Sequence, residues 1–499
     1  MTNKFLSGAW RAIRSGGLSP LFLALWPVLS LYHQNAAECP PGAVLRSLAT
    51  MGGIGTIATL AFRVLFNDRA IASVHASFFV LVFAGGGAFF AAIDRRLAGF
   101  PVGTAAAELV ALLALLAAYL GLLRSARPPV RRWWASANTV LAVGAASLCF
   151  STALLGIAAA GRKSPGAGTT IEGPARVASP DAPDVYLILL DGYGRADVLK
   201  DVLAYDNTPF LRELAKRGFW VAPRGRSNFP TTPDAVATLL NLDYAEGAAG
   251  APSNPRAMIQ HNRFQALARE AGYVLYSFDS GWLITSSFPL SDVEIRSLWR
   301  LNEFERSLVD VTVLGKLFPL IVRGDQRGIL ERNLRELRAL PERPGQPKCV
   351  VAHIVLPHPP YLFDAAGNVP RHTSDFNLMG PWKEPDGYID QLRFLNARLL
   401  EAIDAIVAHA RVPPLILLVS DHGSCFRGRV GADDEKLVAE RTGILLAVAA
   451  PPAQRALFYD SITPVNAVRL LAGSAFGRPQ PPVDDRVYWN AENIATPKS

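Results

Sequence analysis

The strongest constraint on this chain is a series of apolar stretches in its first third. Each runs roughly 17 to 25 residues, the length a helix needs to cross ~30 Å of hydrocarbon. Five are legible between Leu18 and Ala160: Pro20 to Leu31 with its flanks, Val44 to Leu65, Ile71 to Ile93, Gly103 to Leu123 and Ala135 to Ala160. Five transmembrane helices are therefore expected within residues 1–160. Pro27 interrupts the first and the polar run His33 to Glu38 ends it early, so a signal peptide is the rival reading there. The spans that follow it, and the lack of an evident small-residue cleavage site, favour a retained anchor.

Charge gives these spans a direction. The chain carries 50 Lys and Arg against 42 Asp and Glu, a net +8, and the whole excess falls in residues 1–160, with twelve basic and four acidic residues. The remainder holds 38 of each sign. Lys4, Arg11 and Arg14 precede the first span, Arg63 and Arg69 flank the second connection, and Arg124, Arg127, Arg131 and Arg132 fill the fourth. With five spans all of these lie on one side, which the positive-inside rule makes cytoplasmic. Arg95 and Arg96 run against this pattern and are partly offset by Asp94. Trp133 and Trp134 suit a headgroup-level anchor. An odd number of spans places the C-terminal portion outside the cytoplasm, so an inner-membrane protein with a periplasmic or extracytoplasmic domain is expected. A neutral folded domain argues against nucleic-acid binding. Apolar residues make up 50% of the chain and the mean hydropathy is +0.20, which excludes disorder and collagen-like architecture. Four cysteines form neither a disulfide framework nor a CxxC zinc pattern.

Residues 161–183, GRKSPGAGTTIEGPARVASPDAP, read as a linker. From residue 184 to 499 short Val-, Ile- and Leu-rich runs alternate with helical segments, the signal for an α/β domain with a central, mostly parallel sheet flanked by helices. Strands are expected at Val185 to Leu190, Tyr273 to Phe278, Cys349 to Leu356, Leu415 to Ser420 and Ile444 to Ala449. Helices are expected at Pro209 to Arg217, Pro233 to Leu242, Arg263 to Ala271, Gln326 to Ala339 and Asp390 to Ala410.

Ligands of open α/β sheets bind beyond the carboxyl ends of the strands. Asp191-Gly192 follows one strand and Asp421-His422-Gly423 another, an apt ligand set for Zn²⁺ or Mn²⁺. Each alone is also an ordinary turn sequence; together, after the two most strand-like runs, they point to a site. In Phe229-Pro230-Thr231-Thr232-Pro233-Asp234, Thr232 reads as the N-cap of a helix. The same hydroxyl, at a helix start that favours anions, could instead be a metal-activated nucleophile for phosphorus. Thr231 is the rival for that role.

These segments, with HIVLPHPPY between them and LVSDHGS after, resemble the alkaline phosphatase and sulfatase superfamily. The anchor, linker and extracytoplasmic domain are most similar to its membrane-anchored branch, the lipoteichoic acid synthases and phosphoethanolamine transferases. The resemblance implies that Asp191, Thr232, Asp421 and His422 bind one divalent ion, a transient second being allowed for. It also implies that Thr232 is the nucleophile and that His358 contacts the phosphoryl group or the leaving oxygen. His353, inside the preceding strand, reads as a core histidine. The chain lacks the C/S-x-P-x-R setting of sulfatases, and Cys39, Cys149, Cys349 and Cys425 stand far from Thr232, unlike the cysteine-flanked nucleophile of phosphoethanolamine transferases. Gln391 and Asn396 read as solvent-facing, Asn207 as a helix cap, Cys425 as a free thiol, and Arg195 and Asp197 as residues bordering the site.

The expected function is transfer of a phospholipid head group, of phosphoethanolamine or phosphoglycerol type, to an envelope glycan or glycolipid through a phosphothreonine. A phosphodiesterase or phosphatase of the same fold and a non-catalytic envelope scaffold are the alternatives.

Overall fold

The computed structural model describes residues 18–35, 41–97, 139–154, 178–244, 254–296, 301–370 and 381–490, apart from 283 and 318. Cys39, Asn493, Ile494 and isolated positions between 110 and 121 are also described. The chain forms two compact units, Met1–Lys163 with Leu301–Asp325, and Ser164–Arg300 with Gln326–Ser499.

In the first unit, Gly42–Leu65 and Arg69–Phe90 are long and apolar enough to cross a membrane. Ser19–Gln34 is a 16-residue helix containing Pro27, and Thr139–Leu154 is a shorter apolar helix. Among the described residues, the exposed large apolar side chains lie in this unit apart from Val369, Val407 and Leu457. Of the five expected spans, two therefore reach full length, the first and fifth are described as shorter helices, and Gly103 to Leu123 lies largely outside the described residues.

The segment Leu301–Asp325 belongs to this first unit although the sequence reading placed it in the soluble portion. Its helix Glu303–Val311 opens with a capping box between Asn302 and Glu305. Glu305 pairs with Arg46, and Asn302 Nδ2 donates to Ala43 O at 3.0 Å. A Cβ on Gly87 would lie 2.3 Å from the carbonyl oxygens of Asp310 and Thr312. Glycine is thus what lets the long helix Arg69–Leu97 meet this segment backbone to backbone.

The second unit is built on a seven-stranded sheet. Its strands are β1 (Val185–Asp191), β2 (Phe219–Val221), β3 (Val274–Phe278), β4 (Val293–Ile295), β5 (Lys348–Pro357), β6 (Leu415–Ser420) and β7 (Leu446–Ala449), in the order β2-β7-β6-β1-β5-β3-β4. The pairs β6-β1, β1-β5, β5-β3 and β3-β4 are parallel, while β7 runs antiparallel to both β6 and β2. All five expected strands are present. The two extra ones, β2 and β4, span three residues each, too few to show a period.

Every residue of β1 is buried. Tyr186, Ile188 and Leu190 join a core under the helices Thr208–Lys216 and Pro385–His409. Val185, Leu187 and Leu189 join a second core under Thr232–Asn241, Arg263–Glu270 and Pro464–Phe476. Burial on both faces explains why β1, β5 and β6 read as continuous apolar runs rather than alternating ones.

The turn after β1 needs a glycine twice over. Gly192 has φ +73°, and a Cβ there would stand 2.6 Å from Trp382 Cη2. Gly192→Ala should lower the stability of this unit by at least about 2 kcal/mol, from left-handed strain and displacement of the indole. Urea unfolding of the full chain in detergent, followed by tryptophan fluorescence, measures this; a change under about 0.5 kcal/mol would contradict it.

Candidate active site and metal centre

Three adjacent strands, β5, β1 and β6, deliver the site. Side chains of odd number in all three face the core under Thr232–Asn241: Cys349 and Val351, Val185 to Leu189, and Leu415 to Val419. Continuing that alternation by one step puts His353, Asp191 and Asp421 on the same face. His353 stands level with Leu189 in the β1-β5 register. His358 follows β5, and its N–H donates to Asp191 O at 3.1 Å.

Asp421 Oδ1 accepts two backbone N–H groups, from Gly192 at 3.1 Å and His422 at 2.8 Å. Its Oδ2 is buried with no hydrogen-bond partner, and so is Asp191 Oδ1. The imidazoles around them are oriented by what their outer nitrogens touch. His422 Nδ1 lies 3.0 Å from Gly423 O, and His358 Nδ1 lies 2.6 Å from Pro359 O. A carbonyl only accepts, so each Nδ1 carries the proton and each Nε2 presents a lone pair. His422 Nε2 is 3.4 Å from Asp421 Oδ2 and 3.6 Å from Asp191 Oδ1, and His358 Nε2 is 4.0 Å from Asp191 Oδ1.

The helix carrying the two threonines separates their roles. Thr231, not Thr232, is the N-cap residue, and Thr232 is the first helical residue, followed by Pro233. The reading of Thr232 as a cap therefore does not hold: Thr231 has the extended backbone of a cap and Thr232 already lies within the helix. Thr231 Oγ1 donates to Asp234 Oδ2 at 2.6 Å. Thr232 Oγ1 lies 3.0 Å from His422 Nε2 and donates to its lone pair.

Burial sets the charge state. It raises Asp191 to about 7, opposed by Arg441, and together with the charge of Asp191 it raises Asp421 to about 7 as well. It lowers His353 to about 3 and His358 to about 4, and holds His422 well below the ordinary imidazole value. At neutral pH the imidazoles are thus neutral acceptors, while the two carboxyl groups lie close to their own titration. Such a cluster fits a divalent cation, whose N and O ligands must be deprotonated. Two sets of donor atoms lie within 4.8 Å of one another: Asp191, His358 and His422, and Asp191, His353 and Asp421. Each draws on Asp191.

Arg441 is a site residue that the sequence reading missed. Its buried guanidinium donates from Nε to Pro230 O at 2.8 Å and from Nη1 to Gly423 O at 3.0 Å. It therefore ties the loop ahead of Thr232 to the turn that carries His422, and it stacks over Trp382 at 5.5 Å. Nothing in Glu440-Arg441-Thr442 distinguishes it from an ordinary charged helical residue.

Gln391 and Asn396 are also buried rather than solvent-facing. Gln391 Nε2 donates to Pro357 O and His358 O at 3.1 and 3.0 Å, while its Oε1 accepts the Leu362 N–H, so it props the loop holding His358. Asn396 joins Tyr193 and Asn207 in a buried network, and Asn207 stands at a helix start without a side-chain capping bond. Charged neighbours on the same helix hid the fact that an amide can be buried once both of its ends are bonded. Arg195 pairs with Asp197 at 2.6 Å and donates to Gly225 O. Cys425 is a buried free thiol donating to Gly428 O.

No family model matches the chain, and a search of curated proteins finds no match. Among solved structures it is similar to the C-terminal periplasmic domain of EcEptC from Escherichia coli, at 13% identity and TM-score 0.43, over 64% of this chain and 94% of that one. The same domain is also solved in complex with Zn. The integral membrane protein lipooligosaccharide phosphoethanolamine transferase A (EptA) from Neisseria meningitidis is similar at 13% identity and TM-score 0.38, over 93% of this chain and 96% of that one. The phosphonate monoester hydrolase of Agrobacterium radiobacter matches at 14% identity and TM-score 0.38, over 59% and 74%. These structural neighbours belong to the alkaline phosphatase and sulfatase superfamily.

Because both carboxyl groups hold protons below about 7 and the histidines do not, Zn²⁺ binding should release protons near pH 6 and fewer near about pH 8.5. Apparent affinity should rise with pH until about 7 and then level off. Calorimetric titration in buffers of different ionisation enthalpy reads the release directly. A release independent of pH over this range would contradict the assignment.

Proposed function

We propose that the chain is a metal-dependent phosphotransferase that takes a phospholipid head group onto Thr232 and passes it to a hydroxyl of an envelope glycan or glycolipid. The observation that carries this reading is the Thr232 hydroxyl, buried at a helix start and hydrogen-bonded at 3.0 Å to a neutral imidazole lone pair beside two carboxyl groups. A serviceable nucleophile needs a means of losing its proton and a centre for anionic charge, and a divalent ion in this cluster, taking the His422 Nε2 lone pair, would supply both. One divalent ion, Zn²⁺ or Mn²⁺, held by Asp191, Asp421 and His422 with Thr232 in reach, would polarise the phosphoryl group and lower the barrier to loss of the hydroxyl proton.

The chain's own residues do the remainder. Thr232 Oγ1 forms a bond to phosphorus as the ester bond to diacylglycerol breaks, and the lipid alcohol leaves with a proton. The acceptor hydroxyl then attacks the same phosphorus, the P–Oγ1 bond breaks and Thr232 is regenerated. His358, partly open with a side-chain exposure of 13%, faces the incoming phosphoryl group or the leaving oxygen. Arg441 holds the Thr232 and His422 loops at a fixed separation. Residues 1–160 serve as a multi-pass inner-membrane anchor, with 161–183 as linker and the catalytic unit on the periplasmic side. This arrangement raises the effective concentration of a lipid donor.

Full-length protein in detergent, given phosphatidylethanolamine or phosphatidylglycerol, should carry a mass adduct on the Thr232 peptide equal to the phosphorylated head group. Thr232→Ala should abolish the adduct and cut turnover by at least about 1,000-fold. An unchanged adduct or rate in Thr232→Ala overturns the nucleophile. Free head group in place of a glycan conjugate would make water the acceptor.

A further inference from the structure

His353 is 0% exposed, and its Nε2 has no hydrogen-bond partner. That nitrogen points at Asp191, 3.6 Å from Oδ2, a separation too long for a hydrogen bond. A core histidine with one ring nitrogen stranded against a carboxylate is not satisfied, and such orphans are rare enough to need a cause.

The other ring nitrogen shows which face of the imidazole carries the proton. His353 Nδ1 lies 2.8 Å from Thr285 Oγ1, and Thr285 Oγ1 lies 2.8 Å from Ser280 Oγ. Ser280 Oγ lies 3.1 Å from the Trp282 carbonyl oxygen. Ser280 and Thr285 are fully buried, so no solvent enters the series. A carbonyl only accepts, and each hydroxyl has one proton. Trp282 N also donates to Ser280 Oγ at 3.1 Å, so the Ser280 proton goes either to Trp282 O or to Thr285; in the first arrangement Thr285 donates to Ser280 and Thr285 Oγ1 receives the His353 Nδ1–H. The opposite direction would aim an Nε2–H at a carboxylate beyond bonding range. The first arrangement leaves a bare lone pair on Nε2, 3.6 Å from Asp191, in a residue whose donor atoms group with those of Asp191 and Asp421. Lone pair against carboxylate is repulsive unless a cation lies between them. Metal-ligating histidines carry this same outer hydrogen bond, which fixes the tautomer and orients the ring.

We propose that His353 ligates, through Nε2, the divalent cation shared by Asp191 and Asp421, and that the Thr285-Ser280-Trp282 relay exists to hold that nitrogen unprotonated. This rests on the reading of the site as a metal centre and adds a ligand from inside strand β5. His353 is then a binding residue, and Thr285 is a positioning residue acting through it.

The test uses the full chain in detergent, stripped of metal and titrated with Zn²⁺ and Co²⁺. Affinity is read by calorimetry, coordination by the visible absorption of bound Co²⁺, and folding by circular dichroism. His353→Gln should weaken Zn²⁺ binding at least about tenfold and change the Co²⁺ spectrum. Thr285→Val, which keeps the imidazole and removes its acceptor, should weaken binding about 10- to 100-fold. Wild-type affinity and spectrum in His353→Gln overturn the proposal. If that variant fails to fold, Thr285→Val decides, and unchanged binding there overturns it equally. A wild-type protein that takes up no divalent ion would sink the metal-centre reading itself and this ligand with it. A wild-type protein that binds the ion, with unaltered variants, sinks only the ligand.

Discussion

Much of the second unit is arranged around one electrostatic problem: several lone-pair acceptors and two buried carboxyl groups gathered at the end of a sheet. Acceptors packed together without donors repel, and burial makes the repulsion stronger. Burial, joined at Asp421 by the charge of Asp191, raises both carboxyl groups to about 7, so protons take up part of that cost. The same groups are the ones the proposed cation would take as ligands.

The elements that support this cluster each handle one consequence of it. Backbone N–H groups of Gly192 and His422 take one oxygen of Asp421 and leave the other directed inward. Carbonyls of Gly423 and Pro359 and the Thr285 hydroxyl hold the outer nitrogens of three imidazoles. Gln391 and Arg441 fasten the loops that bear His358, His422 and Thr232. These bonds fix orientation before any ligand arrives, so little reorganisation is left for the reaction step.

How much of this could be read beforehand depends on where each residue sits. The strands that became β1, β5 and β6 were legible because a sheet covered on both faces leaves long apolar runs. Asp191, Asp421 and His422 were legible because each interrupts such a run at its carboxyl end. His353 was not, since it lies within a strand, and only the register that sets it beside Leu189 shows that it faces Asp191. Arg441, Gln391 and Asn396 lie on helices among other polar residues, and their burial is a property of packing that no local pattern carries. Which of Thr231 and Thr232 touches His422 also needed coordinates, because both are plausible helix starts and only the path of each hydroxyl separates them.

The return of Leu301–Asp325 to the first unit makes the covalent path through this protein unusual. The chain leaves the apolar helices, builds part of the sheet, goes back to contribute two short helices, and leaves again to complete the sheet. The two units are therefore not beads on one string that a single cut ahead of β1 would separate. A fragment beginning at β1 would carry a segment stripped of Arg46, Ala43 and the glycine face of Arg69–Leu97. Its exposed apolar surface would favour aggregation even with the acidic and histidine cluster intact.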